Sequence, residues 1–217
     1  MVNRKIKIMK RLIILFFAVA AITSGCAKKI KVTIDGTVPP TKTKLYLIIN
    51  EDTANAKLLP IINGKFSTTV QVERDALIRI DDWKDWPKRC EFVLVPDSKH
   101  ITIDWDKGTI TGSPMSQKLQ LSCREIRKAS PEGFHIDVFS DDPEAWRQAQ
   151  QEGEAIRASM LQNQKNIARE VLFDNKNSVI SVWIAYCFPQ IFKGELEGAI
   201  EHMNPKWINH PLMQKKR

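Results

Sequence analysis

Hydrophobic residues recur at every second position from Ile30 to about Gly112, and at a spacing near 3.6 from Pro114 onward. A period of two sends alternate side chains to opposite faces of a strand, whereas 3.6 gathers them on one stripe of a helix. One element cannot satisfy both patterns, so the chain is expected to be α+β. A small antiparallel β-sandwich or open barrel over residues 26–112 should be followed by a helical region over 113–217.

In the first half, Ile30, Val32 and Ile34 alternate with Lys31, Thr33 and Asp35. Leu45–Ile49 is continuously apolar and short enough to be a strand covered on both faces. Asn63-Gly64 accepts the two positive φ angles of a type I′ turn, and between Leu58–Ile62 and Phe66–Val72 it predicts a hairpin. Ala76–Ile80, Cys90–Val95, Ile101–Trp105 and Thr109–Thr111 bring the total to about eight short strands. In the second half, Asp142-Pro143 opens a helix of about 28 residues, roughly 42 Å long. Its stripe of Trp146, Ala149, Gly153, Ile156, Met160, Ile167 and Val171, interrupted by Asn163, needs a surface to bury against. Ser178–Phe188 is apolar nearly all round and is expected at the buried centre of the helical half. Gly194–Met203 and Pro205–Arg217 read as shorter helical pieces, the latter broken at Pro211, and the connection Ser130–Asp142 reads as an ordered loop.

The formal charge of +8 suggests an anionic partner until it is located along the chain. Residues 1–25 hold Arg4, Lys5, Lys7, Lys10 and Arg11 and no acid, so the rest has 28 basic against 25 acidic residues, a net of +3. That balance excludes a strongly basic nucleic-acid binder. Leu12–Ile22 is an apolar run of 11 residues, about 16 Å as helix against a bilayer core of roughly 30 Å, so residues 1–25 read as a signal peptide.

Ser24-Gly25-Cys26, after the small Thr23, resembles the bacterial lipobox, with Thr23 where Leu, Val or Ile is usual. The resemblance implies that Cys26 is acylated and becomes the first residue of the mature protein; an ordinary secretory signal with an incidental cysteine is the alternative. Three acyl chains make an effectively permanent anchor, since each buried CH₂ contributes about 0.8 kcal/mol. No Asp follows Cys26 and no acidic cluster is nearby, so the expected location is the periplasmic face of an outer membrane. The membrane is then one partner, through the lipid, and an envelope protein the other.

Four phrases carry a second resemblance: Asn63-Gly64-Lys65-Phe66, Phe92-Val93-Leu94-Val95-Pro96-Asp97, Ile101-Thr102-Ile103 and Ile110-Thr111-Gly112-Ser113-Pro114. Over about residues 30–130 they resemble the β-rich domain of unknown function at the N-terminus of Bacteroides-type periplasmic lipoproteins, which precedes a helical linker and a thioredoxin-like disulfide reductase. The reductase needs a Cys-x-x-Cys pair at a helix N-terminus. Cys26, Cys90, Cys123 and Cys187 lie 64, 33 and 64 residues apart, so reductase activity is expected to be absent.

No cofactor motif and no zinc-ligand spacing of His100, His135, His202 and His210 is present, and no catalytic residue is assigned. Cys90 falls on a predicted strand and Cys123 and Cys187 on predicted helices, as buried small hydrophobes do; one disulfide among them is the alternative. Asp104 and Asp106 share a strand face opposite Ile101, Ile103 and Trp105 and are expected to point to solvent. The best binding candidate is the segment Asp81–Arg89, where Trp83 and Trp86 can form an aromatic platform and Asp82 and Asp85 accept hydrogen bonds from a sugar or other small ligand. The simpler role for its indoles is to cover one end of the sandwich. The expected function is a non-catalytic, lipid-anchored interaction or positioning module, with glycan or small-ligand binding by the Trp segment as the alternative.

Overall fold

A computed structural model describes residues 29–82, 92–137, 141–189 and 203–215. Strands β1 (Lys29–Thr37), β4 (Lys65–Glu73), β7 (His100–Asp104) and β8 (Thr109–Thr111) form one sheet in the order β4-β1-β7-β8. Strands β2 (Leu45–Ile49), β3 (Lys57–Leu59), β5 (Ile78–Asp81) and β6 (Phe92–Leu94) form a second, ordered β3-β2-β5-β6. The sheets pack as an open sandwich and do not close into a barrel. Their pairings are antiparallel except that β7 lies parallel to β1, a crossover that local alternation does not reveal.

Val32 and Ile34 of β1, Leu45 and Leu47 of β2, Ile78 and Ile80 of β5, and Ile101 and Ile103 of β7 fill the space between the sheets. The second sheet also buries its other face. Leu77, Val93 and Val95 pack against helices α1 (Pro114–Lys128), α2 (Pro143–Asp174) and α3 (Val179–Cys187), and against Trp207, Leu212 and Met213 from two short helices, α4 (Pro205–Ile208) and α5 (Pro211–Gln214). The molecule is therefore layered sheet, sheet, helix, with β5 and β6 buried along their whole length. The expected Gly194–Met203 helix lies almost wholly outside the described residues.

The Asn63-Gly64 turn forms as its chemistry requires, with φ of 51° and 69° and reciprocal backbone hydrogen bonds of 2.8 and 3.0 Å between Ile62 and Lys65. It is not the hairpin the flanking sequence predicts. Beyond the single Ile62–Lys65 bridge the chain changes sheets: β3 pairs with β2, while β4 pairs with β1. The turn is a corner between the layers of the sandwich.

The β and helical halves are joined at Gly112-Ser113-Pro114. Ser113 caps α1, its Oγ accepting the Ser116 N–H at 3.1 Å and donating to Asp97 Oδ1 at 2.5 Å. Asp97 Oδ2 accepts the Met115 N–H at 2.8 Å, and Ser116 Oγ accepts the Val95 N–H at 2.9 Å. Val95-Pro96-Asp97 and Gly112-Ser113-Pro114, both from the phrases that carry the resemblance, thus meet in one hydrogen-bonded joint. Gly112 takes φ 81°, and a Cβ there would stand 2.5 Å from the His100 carbonyl oxygen. Gly112→Ala is expected to cost about 1–3 kcal/mol by displacing the start of α1, read as a lower urea midpoint with an unchanged slope.

Helix α2 begins at the expected Asp142 cap but runs for 32 residues, and its stripe is only partly covered. Gln164, Ala168, Val171 and Leu172 are buried against α1 and α3, with Gln164 Nε2 donating to the Ile126 carbonyl at 3.0 Å. No residue from Pro143 to Asn163 is buried, and Trp146 and Ile156 are 45% and 44% exposed. The reason is length: at 1.5 Å per residue, α2 outruns the surface that α1 and α3 offer it.

α3 behaves as its composition predicts, with Val179 to Ala185 buried at the centre of the helical layer. Ser178 caps it, accepting the Ile180 N–H at 3.2 Å. The chain end is held by His210, which is buried; its Nε2 donates to the Asp75 carbonyl at 3.1 Å and its Nδ1 accepts the Leu212 N–H at 3.2 Å. Burial lowers the His210 pKa below 6.5, outweighing the opposing pull of the Asp75 carbonyl and the charges of Asp75 and Glu73. The unfolded chain therefore takes up a proton that the folded one resists, so this stabilisation is complete above about pH 6.5 and is lost as pH falls below it. The thermal midpoint is expected to drop between about pH 7.5 and 5.5, and to drop less in His210→Asn, which keeps a capping oxygen but does not titrate. An equal drop in both proteins would show that His210 is not the titrating group.

Candidate functional site

Cys26, Cys90, Trp83, Trp86 and Asp85 lie outside the described residues, as does His202. Asp82 is described, and its carboxylate is already engaged: Lys42 Nζ stands 2.5 Å from Asp82 Oδ2. Burial raises the Asp82 pKa, but the Lys42 hydrogen bond and charge and a hydrogen bond from Asp81 outweigh it, leaving the carboxyl below its ordinary value. The Lys42 ammonium also lies 5.2 Å from the Trp105 ring centroid, so it bridges Asp82 to that indole.

Beyond Asp81, the strand β5 carries a buried charge cluster. The Arg79 guanidinium is 1% exposed and grips Glu51 with two bonds, Nε to Oε1 at 2.7 Å and Nη2 to Oε2 at 2.9 Å, while Nη1 reaches Asp81 Oδ2 at 3.1 Å. Lys215 Nζ donates to the carbonyls of Asn50 and Glu51 at 2.9 and 2.7 Å, tying the C-terminal segment to the same turn. The geometry is that of a structural clamp between strand and helical layer.

A cavity of about 360 Å³ opens at the seam between the two halves. One wall is aromatic: Phe92 from β6 and Trp105 from the end of β7, packed edge to face with centroids 4.8 Å apart. The facing wall comes from α1 through Leu119, Gln120, Cys123, Arg124 and Arg127, and from α3 through Trp183. The rim is the turn Asp106-Lys107-Gly108. Helical spacing fixes that turn, because Gln117, Gln120 and Arg124 share one face of α1. Gln117 Nε2 donates to the Ile110 carbonyl at 2.8 Å, Gln120 Nε2 to the Gly108 carbonyl at 3.1 Å, and Arg124 Nη2 to the same Gly108 carbonyl.

Two donors on the cavity wall are left over. The Trp183 side chain is 1% exposed and its Nε1–H has no acceptor among the described residues. Arg127 is the next residue on the Gln117, Gln120, Arg124 face, and its guanidinium has no acceptor among the described residues. Lys107, by contrast, is paired with Asp104 at 2.9 Å.

No family model, no curated protein and no solved structure matches the chain.

Asp106 is exposed and Asp104 is bonded to Lys107, but the two do not share a strand face, because β7 ends at Asp104 and Asp106 lies in the turn that follows. His100 is exposed and bonded to Asp35 at 2.6 Å, and His135 is exposed. Cys123 is buried on α1 and lines the cavity, while Cys187 is half-buried at the end of α3. Among the described residues no cluster of His, Cys, Asp and Glu has the makings of a metal site, and no helix is long and apolar enough to cross a membrane. Asp82 is legible in the sequence, whereas the cavity bordered by Trp105, the ring beside its partner Lys42, is not. The available signal was the polar stripe Gln117, Gln120, Arg124 and Arg127 on α1, which runs beside that helix's buried Leu119, Cys123 and Ile126.

Proposed function

We propose that the chain is a non-catalytic, lipid-anchored protein of the cell envelope that serves as an interaction or positioning module, similar to the N-terminal accessory domain of Bacteroides-type thioredoxin-like lipoproteins. The anchor is Cys26, and the location is the periplasmic face of the outer membrane. The observation that carries the reading is the uncovered stretch of α2. A stripe of Trp146, Ala149, Gly153, Ile156 and Met160, interrupted at Asn163, resumes in Ile167 and the buried Ala168 and Val171, yet none of its residues before Gln164 is buried. An amphipathic helix gains most of its stability by burying that face, so this one is suited to receive an apolar surface from another protein. The loop Pro131–Asp137 supports its outer end, with Ile136 against Gly153 and the Arg157 guanidinium donating to the Phe134 carbonyl at 3.0 Å.

A photo-crosslinking amino acid at Ala149, in the full chain in its host, tests the reading. It should give one discrete adduct with a different envelope protein, and Ile156→Glu should abolish it. No adduct, an adduct with a second copy of the chain, or one indifferent to Ile156→Glu would contradict the reading.

Small-ligand binding is the second reading, favoured by the seam cavity. With the Asp82 carboxylate taken by Lys42, the binding role passes from that acid to the wall beside it.

A further inference from the structure

We propose that the seam cavity binds a small organic anion with a flat apolar body, a reading that gives a chemical class to the small-ligand function above. A buried indole N–H without an acceptor costs free energy comparable to a lost hydrogen bond, and the folded chain bears that cost at Trp183, on the wall of an open cavity. The Trp183 ring lines the cavity, so a ligand seated there contacts this indole. The same wall presents the Arg127 guanidinium, a planar donor suited to a carboxylate, while the other cations at the rim are engaged, Lys107 by Asp104 and Arg124 by the Gly108 carbonyl. The lining carries Lys107, Arg124 and Arg127 against the single acid Asp106, so negative charge is favoured at Arg127. Opposite stand Phe92 and Trp105, held edge to face and backed by Lys42, a rigid aromatic surface against which a flat ring packs. The volume of about 360 Å³ lies within the range of small-molecule sites, and the mixture of apolar walls with a few convergent donors is their usual chemistry.

The test uses the full chain labelled with ¹⁵N at its six tryptophan indoles, the Trp183 signal being assigned by its loss in Trp183→Phe. 2-Naphthoate is the probe and the isosteric 2-naphthamide its uncharged control. Naphthoate should move the Trp183 indole signal saturably and bind about tenfold more tightly than the amide, and Arg127→Gln should erase that preference by weakening naphthoate more than the amide. If neither compound moves the Trp183 signal, the cavity is not a ligand site and the small-ligand reading fails. If both bind equally to the unaltered chain, or if Arg127→Gln leaves the preference intact, the site stands but the anionic class is wrong.

Discussion

Arg79→Met is expected to destabilise the protein by about 3–5 kcal/mol, enough to unfold a domain of ordinary stability. The guanidinium and its two carboxylates, Glu51 and Asp81, have side chains only 1–3% exposed. Removing the cation leaves two acids without water and without their counter-charge. The size of the loss comes from that orphaning and not from the worth of the three bonds, so neutralising the two acids should have the opposite effect. Adding Glu51→Gln and Asp81→Asn to Arg79→Met removes the stranded charges and should recover most of the lost stability. Urea unfolding of the single and triple variants distinguishes the cases. A single variant within about 1 kcal/mol of the parent, or a triple variant worse than the single, would contradict the buried clamp.

Two tryptophans of the helical half should respond in opposite ways to truncation. Trp183→Ala removes a side chain that is 1% exposed at the centre of α3, in contact distance of Tyr186 with ring centroids 5.7 Å apart. The cavity left behind should cost about 3–5 kcal/mol. Trp146→Ala removes an indole that is 45% exposed on the uncovered part of α2, and should change stability by no more than about 0.5 kcal/mol. The contrast tests the central packing statement, that α3 is core while the first two-thirds of α2 is not. A large loss from Trp146→Ala in the isolated protein would mean that its stripe is covered after all, and would remove the surface assigned to a partner.

The change of period at Gly112 was enough to divide the chain into sheet and helix, because each periodicity is a local consequence of backbone geometry. The Asn63-Gly64 turn was legible for the same reason, down to the sign of both φ angles. What it connects was not. Turn chemistry fixes four residues, whereas the assignment of β3 and β4 to different sheets depends on which distant strands each one meets. Arg79 illustrates the same boundary on one strand. Alternation sets Arg79 and Asp81 on the face opposite Ile78 and Ile80, but only the arrival of residues from 114 onward turns that face into an interior. The stripe on α2 fails in the reverse sense: the pattern says which face is apolar and is silent on how far the neighbouring helices reach. At the candidate site, Asp82 could be named from its neighbours in sequence. Trp183 and Arg127 could not, since nothing within an all-apolar helix or a polar helix face announces that both border one cavity.

The intact mass and membrane fractionation of the protein from its host, beside Cys26→Ser, test the proposed lipid tether. The expected result is a membrane-bound mature chain beginning at Cys26 with the mass of its acyl chains added, and the loss of both features in the variant. A soluble, unacylated mature chain, unchanged by Cys26→Ser, would contradict it.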